Sequence, residues 1–468
     1  MQIPKTGMKK EAIFHKLDEY KSEDVDGSSG RVFGYVFDPG SDILDFAKKV
    51  YTRFLSENAL DFTVYPSVLH FENDLVSIMR THLGGGGEVV GNFTSGGTES
   101  ILLAVKAARD YYRHHRPEIE RPEMILPSTA HAAFHKAAHY FGIKTVTVSV
   151  DPDTFKADVE NTRRHITKNT IFIAGSAPSY TQGVIDPIGA LSELARENGI
   201  WFHTDACMGG FLLPYCKRLG RPVPDFDFSL PGVSSLSVDL HKYAYTPKGA
   251  SMVLYKNADL RRYQMFAFTK WLGYTMINPT VQSTKSLGPL AAAWAVLHYV
   301  GDDTYFEFAR KKLEAVQEIQ AGIETVPDLY LLAEPEMTLI SFSSKTVNIF
   351  HIIDEMHMKG WYIQPSFSFE NVPANIHLSI NLANVGKTDI FIADLKESVE
   401  KAKALPSGQL LAAVNEMIEK EGESVLDLFP ECADLVALGP WQNLSRAPGR
   451  FSSLACLPVT PAALEPKT

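Results

Sequence analysis

The sequence predicts an α/β protein: a mostly parallel central sheet with a smaller α+β domain after it. Three observations carry that expectation. Over residues 61–305, short runs of Val, Ile, Phe and Thr alternate with helical stretches rich in Ala and Leu, as strand–helix–strand crossovers do. At 468 residues and 45% apolar content, the chain can bury a large core shared among two or three domains. Past residue 305 the alternation gives way to long helices with isolated strands between them, the pattern of an α+β unit over 306–405.

Taken in order, residues 1–60 read as an N-terminal arm, with an amphipathic helix over 10–20, a Gly/Ser turn at 27–30, and a helix over 41–56 capped by Ser41. In the large domain, strands are expected at 124–127, 145–150, 170–174, 201–205, 234–238 and 251–255, with helices at 98–113, 132–141 and 188–198. Ligands of such sheets bind at the carboxyl ends of the strands. The stretch 278–300 ends in an Ala-rich helix, and a second helix over 303–325 leads into the small domain. There, strands at 338–343 and 377–380 accompany helices at 349–358 and 389–404. The extension 406–468 holds one helical stretch at 409–421 and is otherwise rich in Pro, Ala and Ser, which predicts loose order.

Composition narrows the function. A net charge of -10 without a long basic run argues against nucleic acid or an anionic membrane as main partner and favours a small molecule. Cys207, Cys216, Cys432 and Cys456 are far apart, with neither CxxC nor Cys/His metal-ligand spacing, so no disulfide framework or metal site is expected and the protein reads as cytoplasmic. No segment has the length of a signal-peptide core or of a membrane span.

Four stretches carry chemistry. In SVDLHKYAYTPKGASMVLY, His241 and Lys242 sit in a turn between two apolar strands, a costly place for an idle charge. In GNFTSGGTES, Ser95, Gly96, Gly97 and Thr98 precede a helix, so backbone N–H groups and the helix dipole can cradle an anion; the plainer reading makes Thr98 an N-cap. HAAFHKAAHYFGI puts His131 at the end of a strand, with His135 and His139 on the face of the helix that follows. WFHTDACMGGF puts Asp205 at the end of a buried strand, where a carboxylate needs a partner, with His203 two residues back on the same face and Cys207 as a small buried residue. A further stretch, IAGSAPSYTQGVIDP, contains Ser176, Tyr180 and Asp186, the last read as a helix N-cap.

In that order, TSGGTES, HAAF, HTDAC and HKYAYTPKG resemble the pyridoxal-phosphate-dependent group II amino-acid decarboxylases, most closely the sphingosine-1-phosphate lyases, over about half the chain. The resemblance implies the PLP-dependent transferase fold (fold type I), pyridoxal 5'-phosphate as cofactor, and a homodimer with shared active sites. It implies that Lys242 forms the Schiff base with the cofactor aldehyde, that Asp205 pairs with the pyridine nitrogen, and that His131 lies over the ring. Ser95 to Thr98 then serve the cofactor phosphate, His241 binds the cofactor beside Lys242, Thr284 reaches the phosphate from the neighbouring subunit, and Ser176 lies near the ring hydroxyl or the substrate.

The resemblance breaks where such lyases hold the substrate phosphate. Phe37 in GRVFGYVF and Asp61 in NALDFTVYP stand where a tyrosine and a histidine are expected, and an aspartate there would repel a phosphate. Thr284 and Lys285 replace a Ser-Arg pair, and Lys248 alone of the phosphate-binding set is unchanged. With His203 and Ser176 these residues are the candidates for contact with a small-molecule amine substrate. The expected function is a PLP-dependent carbon-carbon lyase, either carboxy-lyase or aldehyde-lyase. The alternatives are a true sphingosine-1-phosphate-type aldehyde lyase, an idle PLP-fold binding protein that works through its tail, and an aminotransferase.

Overall fold

A computed structural model of the chain describes residues 2–22 and 24–404, so the helix expected at 409–421 and the rest of the tail lie outside the described residues. Seven strands form the central sheet: β1 (Val90–Thr94), β2 (Glu123–Pro127), β3 (Lys144–Val148), β4 (Thr170–Ser176), β5 (Trp201–Asp205), β6 (Ser235–Asp239) and β7 (Ser251–Tyr255). Their order is β1-β7-β6-β5-β4-β2-β3, and β7 alone runs against its neighbours. Strands β2, β4, β5, β6 and β7 are buried along their whole length, which is why they read as near-continuous apolar runs.

The helices covering the sheet follow the expected apolar faces. Helix α1 (Lys10–Lys21) buries no residue and leaves Ile13, Phe14, Leu17 and Tyr20 exposed. The chain enters α2 (Ser41–Arg53) through Gly40, whose φ of 98° suits glycine; Gly40, not Ser41, is the N-cap. α3 (Ser67–His82) precedes β1, and neither was anticipated. α4 (Gly97–His115) buries Ile101, Leu102, Val105 and Ala108, and α5 (Ala133–Phe141) turns Ala133, Phe134, Ala137 and Ala138 inward with His135 and His139 outward.

A hairpin of β8 (Phe266–Phe268) and β9 (Met276–Asn278) projects with Phe266, Phe268, Trp271, Leu272 and Tyr274 exposed. The long helix Gly288–Glu324 follows, broken at Gly301 (φ 72°, ψ 163°), where the sequence predicts the gap between two helices. A second sheet, order β10-β11-β13-β12, is built from β10 (Leu329–Leu331), β11 (Leu339–Ser344), β12 (Gln364–Ser366) and β13 (Asn375–Ser379), all antiparallel. Helices Ile349–Met358 and Thr388–Lys403 pack against it, and Phe33 from the N-terminal segment is buried in the same core. No described helix is long and apolar enough to cross a membrane.

Candidate active site

Because β7 runs antiparallel between β1 and β6, the turn joining β6 to β7 lies beside the loop joining β1 to α4, at one edge of the sheet. That edge gathers most of the expected residues. Lys242 Nζ lies 2.9 Å from Asp239 Oδ2, and His241 Nε2 lies 3.7 Å from the same oxygen. Burial alone would push the Lys242 ammonium down, but the Asp239 charge outweighs it and holds Lys242 above the ordinary lysine value. Burial also pushes the His241 imidazole down, against the pull of Asp239, while His241 Nδ1 accepts the Ala250 N–H at 3.2 Å.

The glycine-rich loop closes on this pair. A side chain at Gly97 would put its Cβ 2.8 Å from Cys207 Sγ and 2.9 Å from both Asp239 oxygens, and one at Gly96 would lie 3.9 Å from His241 Cε1. Glycine is therefore what lets the backbone of the cradle approach the lysine turn. Gly96 is the N-cap of α4 and Gly97 its first residue, so Thr98 lies inside the first turn and is not the cap. The amide of Ser95 is already engaged, donating to Glu99 Oε2 at 2.6 Å, which leaves the amides from Gly96 to Thr98 for an anion. Glu99 Oε1 accepts the Val281 N–H at 2.7 Å, clipping the 279–285 loop to the cradle.

At the next strand ends stand Asp205 and Ser176, paired in register across β5 and β4. Asp205 Oδ1 accepts the Cys207 N–H at 3.1 Å and the Ser237 hydroxyl at 3.2 Å, leaving Oδ2 for a pyridinium N–H. Burial pushes the Cys207 thiol far up, so it is no nucleophile. His131, after β2, is exposed at the same edge, and its Nδ1 accepts the Ala133 N–H at 3.1 Å.

Several expectations change. His203 does not line a pocket: it is wholly buried on the sheet face beside Phe172 of β4 and near Phe134 of α5, bonded to Ser235 and Ser237, because its strand face turns inward behind Asp205. Asp186 is not an N-cap but a buried strut whose two oxygens accept the Ala157 and Ser176 amides at 2.8 and 2.7 Å; Pro187 precedes the helix. Asp61 turns its carboxylate onto Thr63, accepting its N–H at 2.8 Å and its hydroxyl at 2.6 Å. Thr284 is exposed on the 279–285 loop and bonds to none of the other expected residues of its own chain. Phe37 and Lys248 do meet: the Lys248 ammonium sits 4.7 Å over the Phe37 ring and 3.3 Å from the His241 carbonyl oxygen. Although Lys248 is exposed overall, the surroundings of that ammonium lower it to about 8, by desolvation first and by the Lys242 charge second.

Three residues escaped the reading of the sequence. Asp239 lies one residue past the strand end that the sequence predicts, Glu99 sits inside the cradle motif, and Tyr180 carries no expected role. Tyr180 donates to Gln364 Oε1 at 2.6 Å and packs 4.3 Å from the His377 ring, tying this edge to the small sheet. The signal for Asp239 was its spacing, three residues before the lysine; the others depend on long-range contacts.

These features fit pyridoxal phosphate: an anion cradle against a half-buried lysine, and a carboxylate with one oxygen to spare. A pyridoxal-dependent decarboxylase conserved domain matches residues 2–345. The chain is 41% identical over 402 residues to the sphingosine-1-phosphate lyase of Arabidopsis thaliana, covering 84% of this chain and 73% of the plant protein. It is 32% identical over 365 residues to the probable L-aspartate decarboxylase of Pyrococcus furiosus, covering 78% and 95%. The solved sphingosine-1-phosphate lyase of Burkholderia pseudomallei matches with a TM-score of 0.85 at 33% identity, over 94% of this chain and 98% of that one. The chain therefore belongs to the pyridoxal-dependent decarboxylase family, in the branch that resembles the sphingosine-1-phosphate lyases, and is a pyridoxal-phosphate-dependent carbon-carbon lyase.

Proposed function

We propose that the enzyme is an aldehyde-lyase that cleaves an amino alcohol bearing an anionic headgroup, such as a phosphorylated long-chain amino alcohol. The observation that carries this is the Lys248 ammonium beside Phe37, next to Lys242 in the same turn. The cation that argued for a phosphate faces the turn. The identity to sphingosine-1-phosphate lyases supports the same choice.

When bound, pyridoxal phosphate supplies an aldehyde that bonds to amines and a ring that takes up electrons from the bond being broken. The residues around it have separable tasks. Gly96, Gly97 and Thr98 amides with His241 hold the phosphate, Asp205 holds a proton on the ring nitrogen, and His131 covers the ring. Lys242 Nζ is the amine that carries the cofactor, and it exchanges its proton against Asp239 Oδ2 at 2.9 Å. Lys248 holds the headgroup. A homodimer with shared sites belongs to this reading, supported by the exposed aromatic hairpin that leads into the Thr284 loop.

The test is product analysis by mass spectrometry after incubating the loaded enzyme with free amino acids and phosphorylated long-chain amino alcohols, with Lys242→Ala as blank. A long-chain aldehyde with phosphoethanolamine is expected. Amines lighter by CO2 would instead establish the second reading, an amino-acid decarboxylase, which the identity to the Pyrococcus protein favours.

A further inference from the structure

Behind Asp205, a row of polar side chains runs into the core. Trp201, His203 and Asp205 alternate along one face of β5, and Ser235 and Ser237 face them from β6, with His203 opposite Ser235 and Asp205 opposite Ser237. Trp201 Nε1 lies 2.8 Å from Ser235 Oγ, Ser235 Oγ lies 2.8 Å from His203 Nδ1, His203 Nε2 lies 3.2 Å from Ser237 Oγ, and Ser237 Oγ lies 3.2 Å from Asp205 Oδ1. The five residues are buried, from 0% exposure at His203, Ser235 and Ser237 to 7% at Asp205.

The direction of every proton follows from the two ends. An indole N–H can only donate, so Ser235 accepts from Trp201 and is left with its own O–H to give. An ionised carboxylate can only accept, so Ser237 gives its O–H to Asp205. A hydroxyl has one proton and two lone pairs, so Ser237 must then accept from His203 Nε2 and from the Cys207 thiol 3.3 Å away. His203 therefore carries its proton on Nε2 and accepts the Ser235 O–H at Nδ1. The imidazole is neutral, because burial pushes it down to about 4.

We propose that Trp201, Ser235, His203 and Ser237 form a one-way hydrogen-bond relay that locks His203 as its Nε2–H tautomer and fixes Asp205 Oδ1 as its terminal acceptor, leaving Oδ2 to hold the proton of the cofactor ring nitrogen. This rests on Asp205 holding that nitrogen. His203 and the two serines are positioning residues, since they touch neither substrate nor cofactor. All donors in the relay point at the carboxylate, and each bond polarises the next.

The test has three readouts besides activity, the first two on the enzyme loaded with pyridoxal phosphate. Neutron diffraction of the unaltered, deuterium-exchanged enzyme should show a deuteron on His203 Nε2 and none on Nδ1; a deuteron on Nδ1 overturns the relay and needs no variant. With cofactor labelled at the ring nitrogen, the 15N shift should report a protonated nitrogen in the unaltered enzyme and move toward the unprotonated value in Ser237→Ala and Asp205→Asn. Cofactor affinity in Ser237→Ala should fall roughly tenfold, the usual loss for a hydrogen bond to a charged group. A shift that moves in Asp205→Asn but not in Ser237→Ala overturns the relay alone. A shift that moves in neither overturns the assignment of Asp205 itself.

Discussion

Asp239, the last residue of β6, and Lys242, in the turn that follows, form an ion pair of 2.9 Å. Before Lys242 can bond to the cofactor aldehyde it must lose a proton, and Asp239 opposes that loss. Cys207, Asp205, His241 and Lys248 also face the pair, but Asp239 is its largest favourable charge. Asp239→Asn removes the charge and leaves burial to dominate, so the lysine value falls. The pH at which apoenzyme captures pyridoxal phosphate at half its maximal rate should drop by about 1–3 units. An unchanged midpoint would mean that Asp239 does not set the protonation of Lys242.

Glu99 holds two backbone amides, one on each oxygen. Glu99→Gln has only one acceptor to offer and turns an NH2 group toward the other donor. Either the cradle or the 279–285 loop must come loose, at a cost of about 1–3 kcal/mol. Cofactor affinity should weaken about tenfold or more, and proteolysis should cut first within 279–285. Equal protease resistance in the two proteins would count against the clip.

Lys248 loses its charge near pH 8. For a substrate with an anionic headgroup, KM should rise as pH passes that value, with kcat little changed. Lys248→Gln should show the high KM at every pH, raised roughly tenfold as expected for a lost charge-assisted contact. An amino acid substrate processed equally well by both proteins would favour decarboxylation.

Lys312 is buried to 1% exposure, with its ammonium 4.6 Å over the Tyr243 ring and 5.2 Å over that of Tyr245, and it has no ion pair among the described residues. Burial brings it down from 10.5 to about 7, with Cys216 the one group acting the other way. Between those values the unfolded chain holds one more proton than the folded one, so stability rises with pH across that window. Lys312→Met removes this slope and should gain about 1–3 kcal/mol at pH 7 while gaining less at pH 9. Urea unfolding at the two pH values measures both effects, and an equal change at both would exclude a buried neutral amine.

Much of this was legible in the sequence because strand periodicity and local motifs need few distant partners. The strands ending in Pro127, Ser176 and Asp205, the cradle before α4 and the Lys242 turn all depend on residues close in the chain. What could not be read depends on tertiary pairing. β1 reads VGNFT, with a glycine and an asparagine that disfavour a strand, and pairing with β7 makes it one. His203 alternates onto the same face as Asp205, yet whether that face meets a pocket or a core is decided by Phe134 and Phe172. Asp61 is an acidic residue at a place where charge matters, and Thr63 two residues on fixes the direction of its carboxylate and holds it below the usual carboxylate range. Asp186 has the spacing of a cap and the burial of a strut.

The helix Gly288–Glu324 is shared property: Leu313 packs into the core of the large sheet, and Ala315 and Val316, within a turn of it, pack into the core of the small one. Neither core can come apart without unravelling a helix on which the other depends. Heating should therefore show one calorimetric transition, with no stage at which the small sheet has melted and the cofactor site survives.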